Sequence, residues 1–338
     1  MHVFVAGATG VLGKRLVDRL TDRGHAVTGL TRDEAGAAVV RAAGGTAVDG
    51  DLLDSAATHA AVTAADPDVI IHAATAIPAA TKTTAADWEP TNRLRREGTE
   101  NLLAAAVAAD ADRYLQQSVV WVARQPDGSG FDEDSEPHPD RTTQAALDGE
   151  RLARDAGHEH DLGVTILRCG WFYGADAAHT RLIAENLRNR RLPIIGSGLL
   201  GRGDAELSPL HADDAARAFV AAVGGDATGL FHVVDDETVT AAKFFRAFAD
   251  RLDAPTPHRI PSWLARPLAG RDSVRFFTRP MPTSNDRFRA AFDWAPELPT
   301  YREGLDRVVA QMIEEGRDHG ETHHATAPDH RDDEQVTT

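Results

Sequence analysis

The sequence predicts an α/β protein, a doubly wound parallel sheet with a smaller, mostly helical C-terminal lobe. Three observations carry this. Residues 3–5, Val-Phe-Val, read as a short buried strand that runs into three spaced glycines and then a helical pattern. Strands and helical stretches go on alternating along the chain, joined by short loops. Residues 69–74, Val-Ile-Ile-His-Ala-Ala, form the continuous apolar run that a parallel strand covered on both faces requires.

Taken in order, Gly7, Gly10 and Gly13 follow the first strand, and Leu12, Leu16 and Leu20 mark one face of the helix after it. Glycines let the backbone turn tightly and approach a pyrophosphate, while a helix N-terminus offers free N–H groups to its charge. Gly7, Ala8, Thr9, Gly10, Val11, Leu12 and Gly13 are therefore the candidate dinucleotide-binding turn. Residues 24–32 predict a second strand. An acid at the end of such a strand binds the ribose 2′-OH of NAD, whereas an arginine accommodates the 2′-phosphate of NADP. Thr31 and Arg32 stand there, which favours NADP over NAD, with Asp33 as a rival ribose ligand. Residues 45–52 predict a third strand. The fourth, from Val69, ends in small residues that leave room for a flat ligand. A helix over 97–109 and a fifth strand over 114–120 follow. Ser118, near the end of that strand, lies where open α/β sheets bind ligands and is a candidate donor to substrate.

The second half predicts a helix over 181–190, a helix over 213–223 and a strand over 230–234. Arg188, Arg190, Arg191 and Arg202 form a candidate clamp for an anionic substrate. An amphipathic helix over 240–252 would turn Phe244, Phe245 and Phe248 inward. Six prolines between 255 and 282 predict loops and short helices around a cleft, and 301–315 a closing helix. Residues 317–338, with His319, His323, His324 and His330 among acids, predict a disordered tail.

Bulk properties narrow the function. A formal charge of −16 argues against a nucleic-acid partner. No apolar run approaches the ~20 residues needed to cross a bilayer. A strand at the very N-terminus leaves no room for a signal peptide, and the single cysteine, Cys169, suits a reducing cytoplasm. The partner expected is a small-molecule substrate, with a homodimer as the assembly to be tested. No metal-ligand constellation stands out.

The motifs together resemble an extended-type short-chain dehydrogenase/reductase of the NAD-dependent epimerase/dehydratase group. They are Gly7-Ala8-Thr9-Gly10-Val11-Leu12-Gly13, Gly50-Asp51-Leu52, Ile71-His72-Ala73-Ala74, the stretches 97–103 and 167–174, 208–216, Ser284-Asn285 and 292–296. The resemblance implies that Asp51 and Leu52 border the adenine, and that Ala73, Ala74 and Thr75 line the cofactor cleft. It also implies a Rossmann domain over 1–174 and 207–236, and a substrate lobe over 175–206 and 237–316. The expected activity is that of an NAD(P)-dependent enzyme acting on a small hydroxyl or carbonyl compound or a sugar nucleotide.

One departure stands out. The family uses a Tyr-x-x-x-Lys pair on a helix after the fifth strand, assisted by a serine. The ammonium lowers the phenol's pKa so that it can exchange a proton near neutral pH. Here the tyrosines are Tyr114, Tyr173 and Tyr301, and four residues on stand Ser118, Ala177 and Leu305. Counting back from Glu150 puts Thr142 at the tyrosine's place and Ala146 at the lysine's. Arg95 stands where the family often has asparagine, and Asn92 lies one turn earlier. The chain thus reads as an atypical branch. Tyr173, Ser118 and Thr142 are the candidate catalytic groups, although an unaided threonine hydroxyl is far too weak an acid. His72 and His211 to Asp214 read as structural, and the acidic run 132–136 as an exposed, solvated loop over the cleft. The alternative function is a catalytically silent dinucleotide sensor or scaffold.

Overall fold

The structure, a computed structural model, describes residues 1–78, 80 and 82–324. In chain order its strands are β1 (His2–Ala6), β2 (Ala26–Thr31), β3 (Thr46–Asp49), β4 (Val69–His72), β5 (Arg113–Val119), β6 (Gly163–Cys169), β7 (Trp171–Tyr173), β8 (Ile194–Gly196), β9 (Glu206–Leu207), β10 (Pro209–His211), β11 (Gly229–Val233), β12 (Val239–Thr240) and β13 (Arg259–Pro261). The α-helices are α1 (Val11–Asp22), α2 (Glu34–Ala42), α3 (Ser55–Ala65), α4 (Ala85–Arg93), α5 (Thr99–Ala108), α6 (Gln144–Glu159), α7 (Ala178–Arg188), α8 (Ala212–Gly224), α9 (Ala241–Arg251), α10 (Ser262–Thr278), α11 (Asp286–Phe292) and α12 (Tyr301–His324).

Seven strands form one sheet in the order β11-β6-β5-β4-β1-β2-β3, every neighbouring pair parallel. The chain winds outward from β1 to β3, then crosses back to β4 on the other side of β1. The switch point lies between β1 and β4, and ligands bind at the strand ends there. Successive side chains of a strand point to opposite faces. Val3 and Val5 accordingly enter one core with Leu12, Leu16, Leu20 and Phe219, while Phe4 and Ala6 enter another with Ile70, Leu102 and Ala106. This is the doubly wound sheet the sequence predicts.

A third core, built on Trp171, Phe244, Phe245, Phe248 and Leu305, holds the C-terminal lobe. The proline-rich stretch is more helical than expected, since α10 runs for 17 residues and breaks its helical backbone only at Gly270, with φ 77. Residues of α11 pack on the sheet rather than on the lobe. Phe288 and Phe292 meet Phe231 of β11 at 6.0 and 5.2 Å between ring centroids, and Trp294 meets Phe288 at 5.3 Å. Helix α12 continues to His324, past the expected end of folded chain at 316. Residues 325–338, including His330, lie outside the described residues. Among the described residues no helix is long and apolar enough to cross a membrane.

Candidate functional site

The turn after β1 is held tightly from behind and open in front. Gly7 has φ +88, and a Cβ there would sit 2.6 Å from the backbone of Ala74 at the end of β4. A Cβ on Gly13 would sit 1.9 Å from the carbonyl oxygen of Gly7. Gly10 caps α1 without any side-chain hydrogen bond, and no acid occupies the first turn. A Cβ on Gly10 would meet only the Gly7 oxygen, at 3.4 Å. The first N–H groups of α1 therefore face a concavity that suits an anion.

That concavity is one end of a cleft of about 910 Å³. Gly7, Thr9, Gly10, Val11 and Leu12 line it, as do Thr31, Arg32, Asp51 and Leu52. Ala73, Ala74 and Thr75 complete this half. Two of the turn residues do not reach the cleft. Ala8 is buried in the core under the sheet, and Gly13 packs against the Gly7 carbonyl, so both support the turn from behind. Asp33 is committed elsewhere, since its carboxylate accepts from the Gly36 N–H at 2.7 Å and caps α2. Arg32 is exposed and has no ion-pair partner among the described residues. His72 holds the end of β4. Its Nε2 donates to the Leu94 carbonyl at 3.2 Å and its Nδ1 accepts from the Ala74 N–H at 3.3 Å. Burial pushes its pKa down to about 4, so it is a neutral structural group.

Opposite stand Thr142 and Ala146, the residues that counting along the chain assigns to the dyad positions. Thr142 lines the cleft just before α6, with its hydroxyl donating to Asp140 Oδ1 at 2.6 Å. Ala146 is buried in the first turns of α6. A single π-helical turn over Leu94–Gly98 carries Arg95 to the cleft wall. The Arg95 Nη1 donates to the Thr142 carbonyl at 3.3 Å. Burial lowers its pKa to about 10, which leaves it charged at neutral pH.

Two candidate catalytic residues need correction. Ser118 faces away from the cleft, because Gln117 and Val119 take the cleft side of β5 and side chains alternate. Its hydroxyl donates to Glu150 Oε1 at 2.5 Å, and Glu150 is bound by Arg168 through two bonds of 2.8 and 2.7 Å. All three are buried. Tyr173 is also buried outside the cleft, donating to Asp235 at 2.8 Å, and burial together with that carboxylate raises its pKa. Tyr114 and Tyr301 are buried too. Among the described residues no tyrosine, lysine or cysteine lines the cleft. His179 does, but its Nε2 donates to the Phe172 carbonyl at 2.6 Å.

The far half of the cleft is aromatic, with Trp121, Trp171, Phe172, Phe245, Phe276 and Phe277 on its walls. Of the expected arginine clamp only Arg191 reaches it, while Arg188, Arg190 and Arg202 are exposed outside. The acidic run is not a loop over the cleft. Glu133 accepts from the His232 N–H at 2.8 Å and Asp134 pairs with Arg287, which ties the run to the edge of the sheet. His211 and Asp213 open α8, and Asp214 binds the N–H groups of Glu297 and Leu298 at 2.8 and 2.9 Å. Gln117, Arg124, Asp140 and His179 also line the cleft, and no shared motif marks them in the sequence.

The family model described as the NAD dependent epimerase/dehydratase family matches residues 3–231. The chain belongs to this family. A nicotinamide dinucleotide cofactor and enzymes of the reductase and epimerase kind come with that membership, as expected from the motifs. The chain is 38% identical over 315 residues to 3-diazoavenalumate denitrifying reductase of a Streptomyces species, covering 91% of this chain and 100% of that protein. Two solved structures share the fold. UDP-glucose 4-epimerase of Thermus thermophilus with NAD aligns with a TM-score of 0.75 and 21% identity, over 93% of this chain and 99% of that one. A human epimerase family protein with NADPH aligns with a TM-score of 0.74 and 19% identity, over 92% and 99%.

Proposed function

We propose that the protein is an NADPH-dependent reductase whose substrate accepts a hydride without needing a proton from the enzyme, an arenediazonium or related diazo compound being the class that fits. The observation that carries this is the cleft's makeup: a glycine cradle suited to a dinucleotide beside a reaction zone with no phenol, ammonium or free imidazole among the described residues. The similarity to a reductase of a diazo compound supports the same reading.

The chain's own groups divide the work. The amides at the start of α1 would hold the pyrophosphate, and Gly10 leaves space for it. Arg32 would take the 2′-phosphate, since Asp33 is occupied by α2. Asp51 and Leu52 would border the adenine, and Ala73 to Thr75 would face the ring end. When bound, the cofactor supplies a hydride. Carbonyl reduction also calls for a proton at the oxygen, and such help is worth ~10²–10⁴-fold. The one hydroxyl at the dyad position, Thr142, donates instead to Asp140. At a ring carbon bearing a diazonium group the balance differs. The hydride's electron pair forms the C–H bond, the C–N bond breaks, its pair leaves with N₂, and no proton enters. Thr142, Arg95 and Gln117 would then position the substrate rather than exchange protons with it.

The test pairs 4-carboxybenzenediazonium with 4-carboxybenzaldehyde, using cofactor deuterated at C4. The expected result is NADPH oxidation with the diazonium above the protein-free rate, release of N₂, and benzoate carrying cofactor deuterium. Comparable turnover of the aldehyde, or label entering from D₂O instead, would refute the reading. Tight NADPH binding without turnover of either probe would favour the silent sensor. In the same assay Arg32→Ala should weaken NADPH roughly tenfold to hundredfold and leave NADH unchanged.

A further inference from the structure

A second pocket of about 340 Å³ opens from the aromatic end of the cleft, sharing Trp121, Arg124 and Asp140 with it. Three arginines, Arg124, Arg275 and Arg279, face a single carboxylate, Asp140. This is a local excess of positive charge in a chain of formal charge −16.

Arg124 is the unusual member. It is only 7% exposed. Its Nη1 donates to the Arg275 carbonyl at 3.3 Å and its Nη2 reaches the Met281 thioether at 3.5 Å. Its Nε has no hydrogen-bond partner among the described residues. Asp140 does not supply the missing acceptor. One of its oxygens accepts from the N–H and hydroxyl of Thr142 at 2.8 and 2.6 Å, and the other pairs with Arg275 at 3.2 Å. Arg279, at the rim, makes no ion pair among the described residues. Burial, followed by the neighbouring arginines, pushes the Arg124 pKa down to about 10, so the guanidinium still carries its charge at neutral pH. A buried cation with a long carbonyl contact and a thioether for partners is incompletely satisfied.

The surroundings say what would complete it. The Arg124 guanidinium lies over the Phe276 ring, 5.5 Å from its centroid. Trp121 meets Phe276 edge-on at 5.3 Å, and Trp171 meets it at 6.1 Å. Aromatic walls therefore lead directly to an unsatisfied planar fork of donors. We propose that Arg124, seconded by Arg279, is a carboxylate subsite, and that the substrate is an aromatic acid whose ring lies along Trp121 and Phe276. Two coplanar carboxylate oxygens match a guanidinium edge. A doubly charged phosphate fits less well, because Arg275 is already engaged by Asp140. The subsite adjoins Thr142 through Asp140, so its occupant's far end lies in the reaction zone. This inference rests on the reading that the aromatic half of the cleft holds the substrate.

The experiment is calorimetric titration of the full chain, loaded with NADPH, with trans-cinnamate, trans-cinnamamide and inorganic phosphate. Cinnamate should bind roughly tenfold to hundredfold more tightly than the amide, and phosphate should displace it only weakly. Arg124→Gln should bring cinnamate and cinnamamide to equal affinity, with NADPH binding as the check that the variant is folded. Arg279→Gln, at an exposed position, should cost about two- to fivefold for cinnamate and nothing for the amide, and it carries the test if Arg124→Gln does not fold. Equal affinities in the wild type, a preference that survives in Arg124→Gln, or displacement by phosphate at lower concentration than cinnamate would each overturn the subsite. These readouts involve no hydride transfer. A preserved preference without diazonium reduction would sink the proposed reaction alone, and turnover without the preference would sink only the subsite.

Discussion

Where the cleft faces α1, its shape is made by main chain; where it faces α6 and α10, it is made by side chains drawn from distant segments. In the first region Gly7, Gly13 and the end of β4 meet backbone to backbone, so that an added Cβ would sit 2.6 Å from Ala74 at Gly7 and 1.9 Å from the Gly7 oxygen at Gly13. In the second, Arg95, Arg124 and the pair Asp140 and Thr142 come from three separate stretches of chain. A backbone cradle tolerates few substitutions and serves many substrates. A side-chain wall can lose its usual acid and base and keep its shape. On the proposed reading this protein is such a case, keeping the nucleotide half of its family's apparatus and rebuilding the other.

The sharpest way to break the contrast is in the cradle. Gly13→Ala drives a methyl into the Gly7 carbonyl, with no flexible side chain to yield. It should cost about 3 kcal/mol or more and abolish NADPH binding, read by thermal melting and nucleotide titration. A variant that melts normally and binds NADPH would show that the turn can relax. Next in size is the buried Ser118–Glu150–Arg168 cluster behind the reaction zone. Glu150→Gln leaves the Arg168 guanidinium, 1% exposed, without its counter-ion, and should lower stability by roughly 3–5 kcal/mol in urea unfolding. A loss under ~1 kcal/mol would mean that water reaches the cluster.

A smaller effect sharpens the comparison through pH. The folded pKa of His72 is lowered, to about 4 from 6.5. Its stabilising contribution is therefore fully present above pH 6.5 and is lost as pH falls towards 4. At pH 5 the loss amounts to about 2 kcal/mol. Comparing Tm at pH 7.5 and 5, His72→Gln should show a smaller acid-induced drop than the wild type, and an equal drop would contradict neutral burial of the imidazole. Smallest of all should be Thr142→Val. With no proton to exchange, its turnover of a diazonium probe should stay within about tenfold of wild type, against the ~10²–10⁴-fold expected for a true acid.

The parallel sheet and the glycine turn were legible because each is written in short contiguous stretches. Gly7 to Gly13, Val69 to Ala74 and the apolar run of β1 need no knowledge of distant partners. The catalytic assignments depended on facing, which the sequence conceals when both faces of a strand are buried. In β5 the residues Gln116, Gln117 and Ser118 are all polar, so the pattern does not say that Gln117 turns to the cleft and Ser118 to α6. Tyr173 read as a cleft residue because its true partner, Asp235, lies 62 positions away. Arg124 carried no local sign at all. Only the packing of α10 beside it shows that a cation has been buried without an acid of its own.

The π-helical turn at Leu94–Gly98 has a consequence for engineering. A turn of that kind accommodates one residue more than regular winding would, and each residue of a helix accounts for about 100° of rotation. Deleting one residue there should rewind the segment and swing Arg95 towards solvent while leaving every other side chain in the wall chemically unaltered. Orientation at this point is thus stored as chain length rather than as residue identity. A library that varies loop and helix lengths could redirect the wall where a library of point substitutions would leave it in place.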